Sequence, residues 1–413
     1  MIDASMRAGE RPWRRAADEP RGFARYTLFA ALVTVLGYSL GYAAIGFGLL
    51  FLGVLWSLGR YRRVPWARTG LDLPLAVFAA ALIASAAFSP YHRLAAEITL
   101  ALLLSGAVYF GAFAWLLQSV PDNRGRFLRA WAAGAVVAAA VGLVFNAAAG
   151  RLARSAAQGR AEIPHGVGPN GLGTTLMLGG ILSLGLALRT AGRERWLWSG
   201  AAVVCLAGLL ASGSRASLVG WLAGAAYLVW RELRARPRRM LAVFTAGLLL
   251  LLGIAAATPQ FTNRLRDTVR DVNGNRLRIW HTSIEMIAAR PIFGTGFGTF
   301  ERAYEYRRAP AMSSEPFAFN LWLNLAVETG LVGLAAAAWL AIEAVRLWRS
   351  WGRSGPGPAA DAWRPAVAAL WIGLLVDQFA DNTLFSISTS AALWLLLAML
   401  VVPPAPVTPT RGP

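Results

Sequence analysis

Three arginines and a glycine string are the residues of this chain best suited to chemistry. Arg215 closes a four-residue turn, Ser212-Gly213-Ser214-Arg215, between two apolar runs, while Arg276 and Arg278 open an amphipathic stretch further along. Guanidinium presents a planar fork that matches two phosphate oxygens at once, which lysine cannot imitate. An arginine at bilayer depth costs ~2.5–3.5 kcal/mol on insertion scales unless it snorkels or finds a partner. Arg215 therefore either snorkels to lipid phosphate or serves an anionic ligand at the membrane boundary. In PIFGTGFGTF, residues 291–300, Gly294, Gly296 and Gly298 occupy alternate positions. Such glycines permit a tight turn and close backbone approach, and their amides can receive phosphate, although plain turn-making uses the same residues.

The elements that must hold these residues follow from composition. Apolar residues make up 56% of the chain and charged ones only 15%, and the apolar runs are long enough to cross a hydrocarbon layer of ~30 Å, which takes roughly 20 helical residues. The expected fold class is all-α, a polytopic integral membrane protein with about twelve spans and a large extracytoplasmic loop. Spans read near 26–41, 43–59, 71–88, 97–119, 128–149, 170–189, 196–212, 216–231, 240–258, 318–346, 364–380 and 384–402. All 40 basic residues are arginine, and the formal charge is +19. Most of that charge sits in short loops between apolar runs, which favours membrane topology over a nucleic-acid partner. Cys205, the single cysteine, lies within an apolar run, leaving neither a disulfide framework nor a thiolate metal site. The arginine-rich start, followed by a long nearly uncharged stretch, reads as a retained first membrane hairpin rather than a cleaved signal.

Charge bookkeeping orients the bundle. With the N-terminus inside, arginines of the loops at 60–68, 124–126, 193–195, 231–239 and 346–364 all fall on the cytoplasmic side. Residues 1–25 form a cytoplasmic N-terminal segment, 26–402 the membrane domain, and 403–413 a disordered cytoplasmic tail. The outer face then collects Arg151, Arg154, Arg160, His165 and Asn170, the turn bearing Arg215, the loop 259–317, and Asp377, Asp381 and Asn382. That loop carries nine arginines against six acids, a net of +3 on the side where topology gives basic charge no purpose. Within it, Asn275–Arg290 has helical periodicity. Leu277, Trp280, Ile284 and Ile287 form the expected apolar stripe, and Arg276, Arg278, His281 and Glu285 lie off it. Asn273 or Asn275 caps the start and Pro291 ends it.

Three stretches, SGSRASLVGWL, RLRIWHTSIEMIAARPIFGTGFGTF and FNLWLNLAVETGLVGL, resemble the core of the O-antigen ligase and O-antigen polymerase superfamily of bacterial envelope glycosyltransferases. They occur in that family's order and flank its large extracytoplasmic loop. The resemblance implies a GT-C-like membrane architecture in the bacterial inner membrane. The implied activity is that of an inverting, metal-independent transferase that needs no cofactor. It would take a glycan from undecaprenyl pyrophosphate and join it, on the periplasmic face, to lipid A core or to a lipid-linked oligosaccharide. Such a protein serves lipopolysaccharide, O-antigen or exopolysaccharide biosynthesis. Family pattern puts one donor-pyrophosphate arginine at Arg215 and another at Arg276 or Arg278.

One departure from that pattern affects the chemistry. Where the family usually has His-Asn, this chain has Phe319-Asn320, and the missing histidine is the family's proposed catalytic residue. Either another group takes its place, or arginine-assisted departure of pyrophosphate suffices, or activity is impaired. Substitutes on the outer face are His165, His281, Glu301 and Glu315. Histidine titrates nearer neutrality than a carboxylate and so suits a general base better, which favours His165. The candidate catalytic set is Arg215, Arg276, His165 and Glu315. Candidate substrate-binding residues are Arg278, Asn170, Gly294, Gly296, Asn320 and Arg151, with no metal ligands. Glu328, in AVETG, lies two turns into a helix, where packing or hydrogen bonding is the expected role. A flippase of lipid-linked oligosaccharides is the rival reading. Transporters usually place charges near the midplane within inverted repeats. Here the spans are nearly free of charge and the unusual residues crowd one face.

Overall fold

The computed structural model describes residues 21–62, 67–119, 123–148, 168–234, 238, 276–308, 316–353, 363–382 and 387–403. Among the described residues every regular element is a helix. They are α1 (Arg21–Ser39), α2 (Ala43–Tyr61), α3 (Asp72–Ala87), α4 (His92–Ser119), α5 (Asn123–Ala148), α6 (Pro169–Arg189) and α7 (Gly192–Ser212). After these come α8 (Arg215–Leu233), α9 (Leu277–Ala289), α10 (Phe300–Arg307), α11 (Leu321–Arg353), α12 (Arg364–Gln378) and α13 (Ile387–Val401). Six of them, α2, α4, α5, α6, α7 and α11, are long and apolar enough to cross a membrane, and α3 and α13 are shorter apolar helices. Eleven of the twelve expected spans fall on helices. The remaining one, 240–258, lies outside the described residues, as do the first part of the 259–317 loop and the tail 404–413.

Helices suit this composition because a lipid-facing backbone must satisfy its own polar groups. Consecutive helices α1 and α2, and α6 and α7, pack as hairpins, while α8 pairs with α12, α4 with α13 and α3 with α11. Lipid removes most of the hydrophobic gain from helix association, so close packing of small residues carries it instead. The clearest case is α8 against α12. A Cβ added at Gly220 would stand 2.5 Å from the Gly373 carbonyl oxygen and 3.4 Å from the Asp377 Cβ. Only glycine lets the two backbones approach so closely, and that approach sets the first turns of α8 beside the last turn of α12.

α11 is broken within its length. Gly330 has φ 62° and ψ −166°, a conformation only glycine adopts readily. The PIFGTG segment threads the break. The amides of Leu331 and Val332 donate to the Pro291 and Ile292 carbonyls at 2.8 and 3.2 Å, and those of Thr295 and Gly296 donate to Val327 and Glu328 at 2.9 and 2.8 Å. Backbone groups that a kink deprives of helical partners are thereby re-satisfied. Ser85 Oγ from α3 adds a third element by donating to the Glu328 carbonyl at 2.8 Å.

α9 forms where the periodicity placed a helix and stops at Pro291, but its buried face matches only half of the expected stripe, Trp280 and Ile287 packing inward. Ile279, Thr282, Ser283 and Met286 are buried, whereas Leu277 and Ile284 are exposed. The helix has two apolar sides. Ile279 and Met286 pack with Phe300, Tyr304 and Val327, and the outward Leu277 and Ile284 suit a helix lying at a membrane interface.

Candidate functional site

The C-terminal end of α12 is where the separate candidate residues meet. Asp377, in its last turn, is fully buried and receives hydrogen bonds from three side chains. Ser217 Oγ of α8 donates to Oδ1 at 2.9 Å. Thr174 Oγ1 of α6 donates to Oδ2 at 3.1 Å, and Gln378 Nε2 donates to the same oxygen at 2.8 Å. Because the single Ser217 proton is committed to Asp377, the 2.9 Å bond between Ser214 and Ser217 hydroxyls must run from Ser214. This chain of hydroxyls fixes the turn before α8, where Gly213 takes φ 65° and ends α7. Arg215 is the first residue of α8 and is exposed at that end of the bundle.

Two residues past α12, the carbonyls at its end reach the other arginine. Arg276 Nη1 donates to the Ala380 carbonyl at 3.0 Å, and Asn320 Nδ2 donates to the Phe379 carbonyl at 3.1 Å. A helix C-terminus carries partial negative charge and unmatched carbonyls, so a cation and an amide donor are well placed there. Asp381 is buried and its Oδ1 accepts the Asn382 amide at 2.8 Å. Asn320 does double duty, since its Oδ1 accepts the Leu323 amide at 3.0 Å and so caps α11.

Phe319, at the position of the absent histidine, faces this cluster. The Arg276 guanidinium lies over its ring at 5.2 Å from the centroid, and Phe317 meets the same ring edge-on at 4.8 Å. Its φ is 51°, which costs a residue with a Cβ about 1–2 kcal/mol. Neighbouring bonds hold the segment in that conformation. Trp280 Nε1 of α9 donates to the Ala318 carbonyl at 2.9 Å, and the Ala318 amide donates to Asn324 Oδ1 of α11 at 3.0 Å.

The structure thus brings together Arg215, Arg276, Asn170 and Asn320 around the end of α12, with Asn170 joined through the Thr174 hydroxyl, which lies 3.2 Å from the Asn170 carbonyl. Arg278 lies two residues beyond Arg276 and is exposed. Gly294 and Gly296 stand elsewhere and do a different job from the phosphate reception expected of them. Their amides donate to the Arg290 and Glu328 carbonyls at 3.2 and 2.8 Å, and their positive φ values, 68° and 107°, serve the docking of this segment into the α11 break. Glu328 accordingly has the hydrogen-bonding role expected, its Oε1 accepting the Phe300 amide at 3.1 Å. His281 is exposed with Nδ1 3.3 Å from Glu285 Oε1, and Glu301 is exposed on α10. His165, Glu315 and Arg151 lie outside the described residues. Sequence reasoning missed Thr174 and Ser217. Their signal was faint: hydroxyls within the first two turns of two spans that start on the same face as Asp377.

The class these features define is an integral membrane protein whose polar, arginine-bearing site gathers at one end of an apolar helical bundle. Residues 200–338, about a third of the 413-residue chain, match a family model described as O-antigen ligase, which supports membership of the O-antigen ligase and polymerase family. No curated protein matches the chain. The matched stretch contains Arg215, Arg276, Arg278 and Asn320, while Asn170, Thr174 and Asp377 lie on either side of it.

Proposed function

We propose that the chain is a membrane glycosyltransferase of O-antigen ligase or polymerase type, moving a glycan from undecaprenyl pyrophosphate to an acceptor hydroxyl on the periplasmic face. The acceptor is lipid A core or a lipid-linked oligosaccharide. In the reaction the hydroxyl oxygen forms a bond to the anomeric carbon, the bond from that carbon to pyrophosphate breaks, and pyrophosphate keeps the electron pair. The hydroxyl proton passes to a base or to the departing phosphate. Charge grows on the leaving group, and guanidinium groups fixed beforehand in a poorly hydrated mouth stabilise it without reorganising. The observation that carries this reading is the shared anchoring of both arginines. Arg215 begins the helix that Ser217 ties to Asp377, and Arg276 is bonded three residues further along the same chain end.

Phe319 stands where an imidazole is usual, so this reading gives the larger part of the rate to the arginines and keeps His165 as the base in reserve. The undecaprenyl chain stays in the lipid phase beside the mouth, and transfer happens at the membrane boundary. The test is transfer by purified protein in liposomes containing lipid-linked donor. Arg215→Ala and Arg276→Ala each abolish transfer while the protein remains inserted and folded; wild-type transfer by either variant overturns the reading. The lipids of a deletion strain separate the two types. Single lipid-linked repeat units accumulate if a polymerase is lost, and long undecaprenyl-linked chains accumulate if a ligase is lost.

A further inference from the structure

The end of the bundle remote from Arg215 contains a recess that pairs basic and apolar side chains. It is a shallow depression between the last turns of α6 and α8 and the start of α12, lined by Leu188, Arg189, Leu228, Arg231, Glu232 and Trp363 among others. Arg215 and Arg231 are sixteen residues apart on one helix, so the recess lies about 24 Å along the bundle from the first site. That is close to the ~30 Å thickness of a bilayer's hydrocarbon core, which sets the recess at the opposite interface. Trp196 is 77% exposed and Trp230 46% exposed at this end, as expected of aromatic residues at headgroup level. Arg193, Arg195 and Arg234 are exposed around them.

Among the described residues, the two recess arginines share with Arg193, Arg195 and Arg234 of the same end a side chain without an internal partner, and are set apart by lining one depression together. Arg364 is bonded to the Trp348 carbonyl and stacked on its ring, and Arg124 reaches the Val402 carbonyl. Among the described residues, Arg189 and Arg231 have no hydrogen bond or ion pair. A helix dipole favours a cation at each C-terminus, yet here both guanidiniums line one recess with a single carboxylate, Glu232, and an apolar floor from Leu188 and Leu228.

We propose that this recess binds the phosphate of an anionic phospholipid. Arg189 and Arg231 take the phosphate oxygens, Trp363 lies at the glycerol level, and the leucines meet the first acyl carbons. Basic pockets between membrane helices suit anionic headgroups in this way. The lining charge, two arginines against one glutamate, matches a monoanionic phosphodiester.

The full chain, purified and stripped of lipid, is titrated with phosphatidylglycerol, phosphatidylethanolamine and inorganic phosphate, with bound lipid counted by native mass spectrometry. Phosphatidylglycerol binds the wild type more tightly than phosphatidylethanolamine. Losing each arginine weakens phosphatidylglycerol about fivefold, and Arg189→Ala with Arg231→Ala together weaken it about thirtyfold. Arg193→Ala with Arg195→Ala, which removes equal charge at residues that do not line the recess, leaves it unchanged. Equal binding of the two lipids overturns the proposal, as does an unaltered double variant. Displacement of phosphatidylglycerol by millimolar inorganic phosphate makes the ligand a free anion and also overturns it. If the double variant fails to elute as a folded protein, the two single variants carry the same test.

Discussion

Replacing Phe319 by leucine asks whether its ring holds Arg276 in place. The guanidinium carbon lies 5.2 Å from the ring centroid, and the bond from Nη1 to the Ala380 carbonyl is a second anchor that leucine leaves intact. Leucine keeps apolar bulk against Phe317 but presents no π face. A cation over an aromatic ring gains about 0.5–1 kcal/mol when exposed and about 2 kcal/mol when desolvated. Both partners here are partly buried, so about 1–1.4 kcal/mol is at stake, or roughly a five- to tenfold fall in kcat/KM. Phe319→Tyr, which preserves the ring, should stay near wild type. Arg276→Ala, by comparison, should cost about 10²–10³ in rate, as loss of a fixed charge stabiliser does. The assay is initial-rate transfer from lipid-linked donor in liposomes, with monodisperse elution and Tm measured for each variant. Wild-type activity in Phe319→Leu would show that the ring is idle. A loss equal to that of Arg276→Ala, at unchanged Tm, would show that Phe319 contacts the reacting groups and refute the positioning argument.

Phe319→His should retain activity and add an ionisation to the pH profile near ~6–7, activity rising with pH because only neutral imidazole accepts a proton; a profile identical to wild type would mean that the position is blind to the acceptor. Asp377→Asn turns one of two accepting oxygens into a donor facing Ser217, or Thr174 and Gln378. It should lower stability by about 1–3 kcal/mol, read as a fall in Tm in detergent, and an unchanged Tm would contradict the assigned network. Gly330→Ala forces a Cβ into the Ile292 carbonyl at a φ of 62°. Its cost, about 1–2 kcal/mol from the backbone alone plus the clash, should sharply reduce folded yield, and normal yield would mean that α11 can straighten.

The spans were legible because apolar runs of bilayer length leave the backbone few choices. Charge bookkeeping also carried Asp377 and Asn382 to the same face as Arg215 before any coordinates, since helix parity decides which end of a span meets which face. Three things were hidden for physical reasons. The buried side of α9 depends on which neighbour it packs against, and its sequence offers two apolar sides, one through Ile279 and Met286 and another through Leu277 and Ile284. The glycines of PIFGTG read equally well as an anion cradle and as a close backbone contact. Their partner, the break at Gly330, is thirty-odd residues away and has no local signature. Thr174 and Ser217 look like any hydroxyl in a membrane helix, where such side chains usually bond their own backbone. The Phe319 departure was visible at once, but its left-handed φ and its place under Arg276 emerge only from the packing of four elements.

The triple convergence on Asp377 has a consequence for how mutations at this site combine. Thr174, Ser217 and Gln378 sit on three helices yet share one carboxyl group, so their contributions are not independent. Once one donor is gone, the carboxyl and its remaining partners can rearrange, and a second deletion costs less than it would alone. If Asp377 is removed first, the hydroxyls of Thr174 and Ser217 lose their common acceptor and their own deletion becomes nearly neutral. Double-mutant cycles across these pairs should therefore give coupling energies of about 0.5–3 kcal/mol, whereas a pairing with a remote residue such as Gly200 should be additive. Over evolutionary time, the same coupling would make these positions change as a set, each substitution altering which replacements its neighbours tolerate.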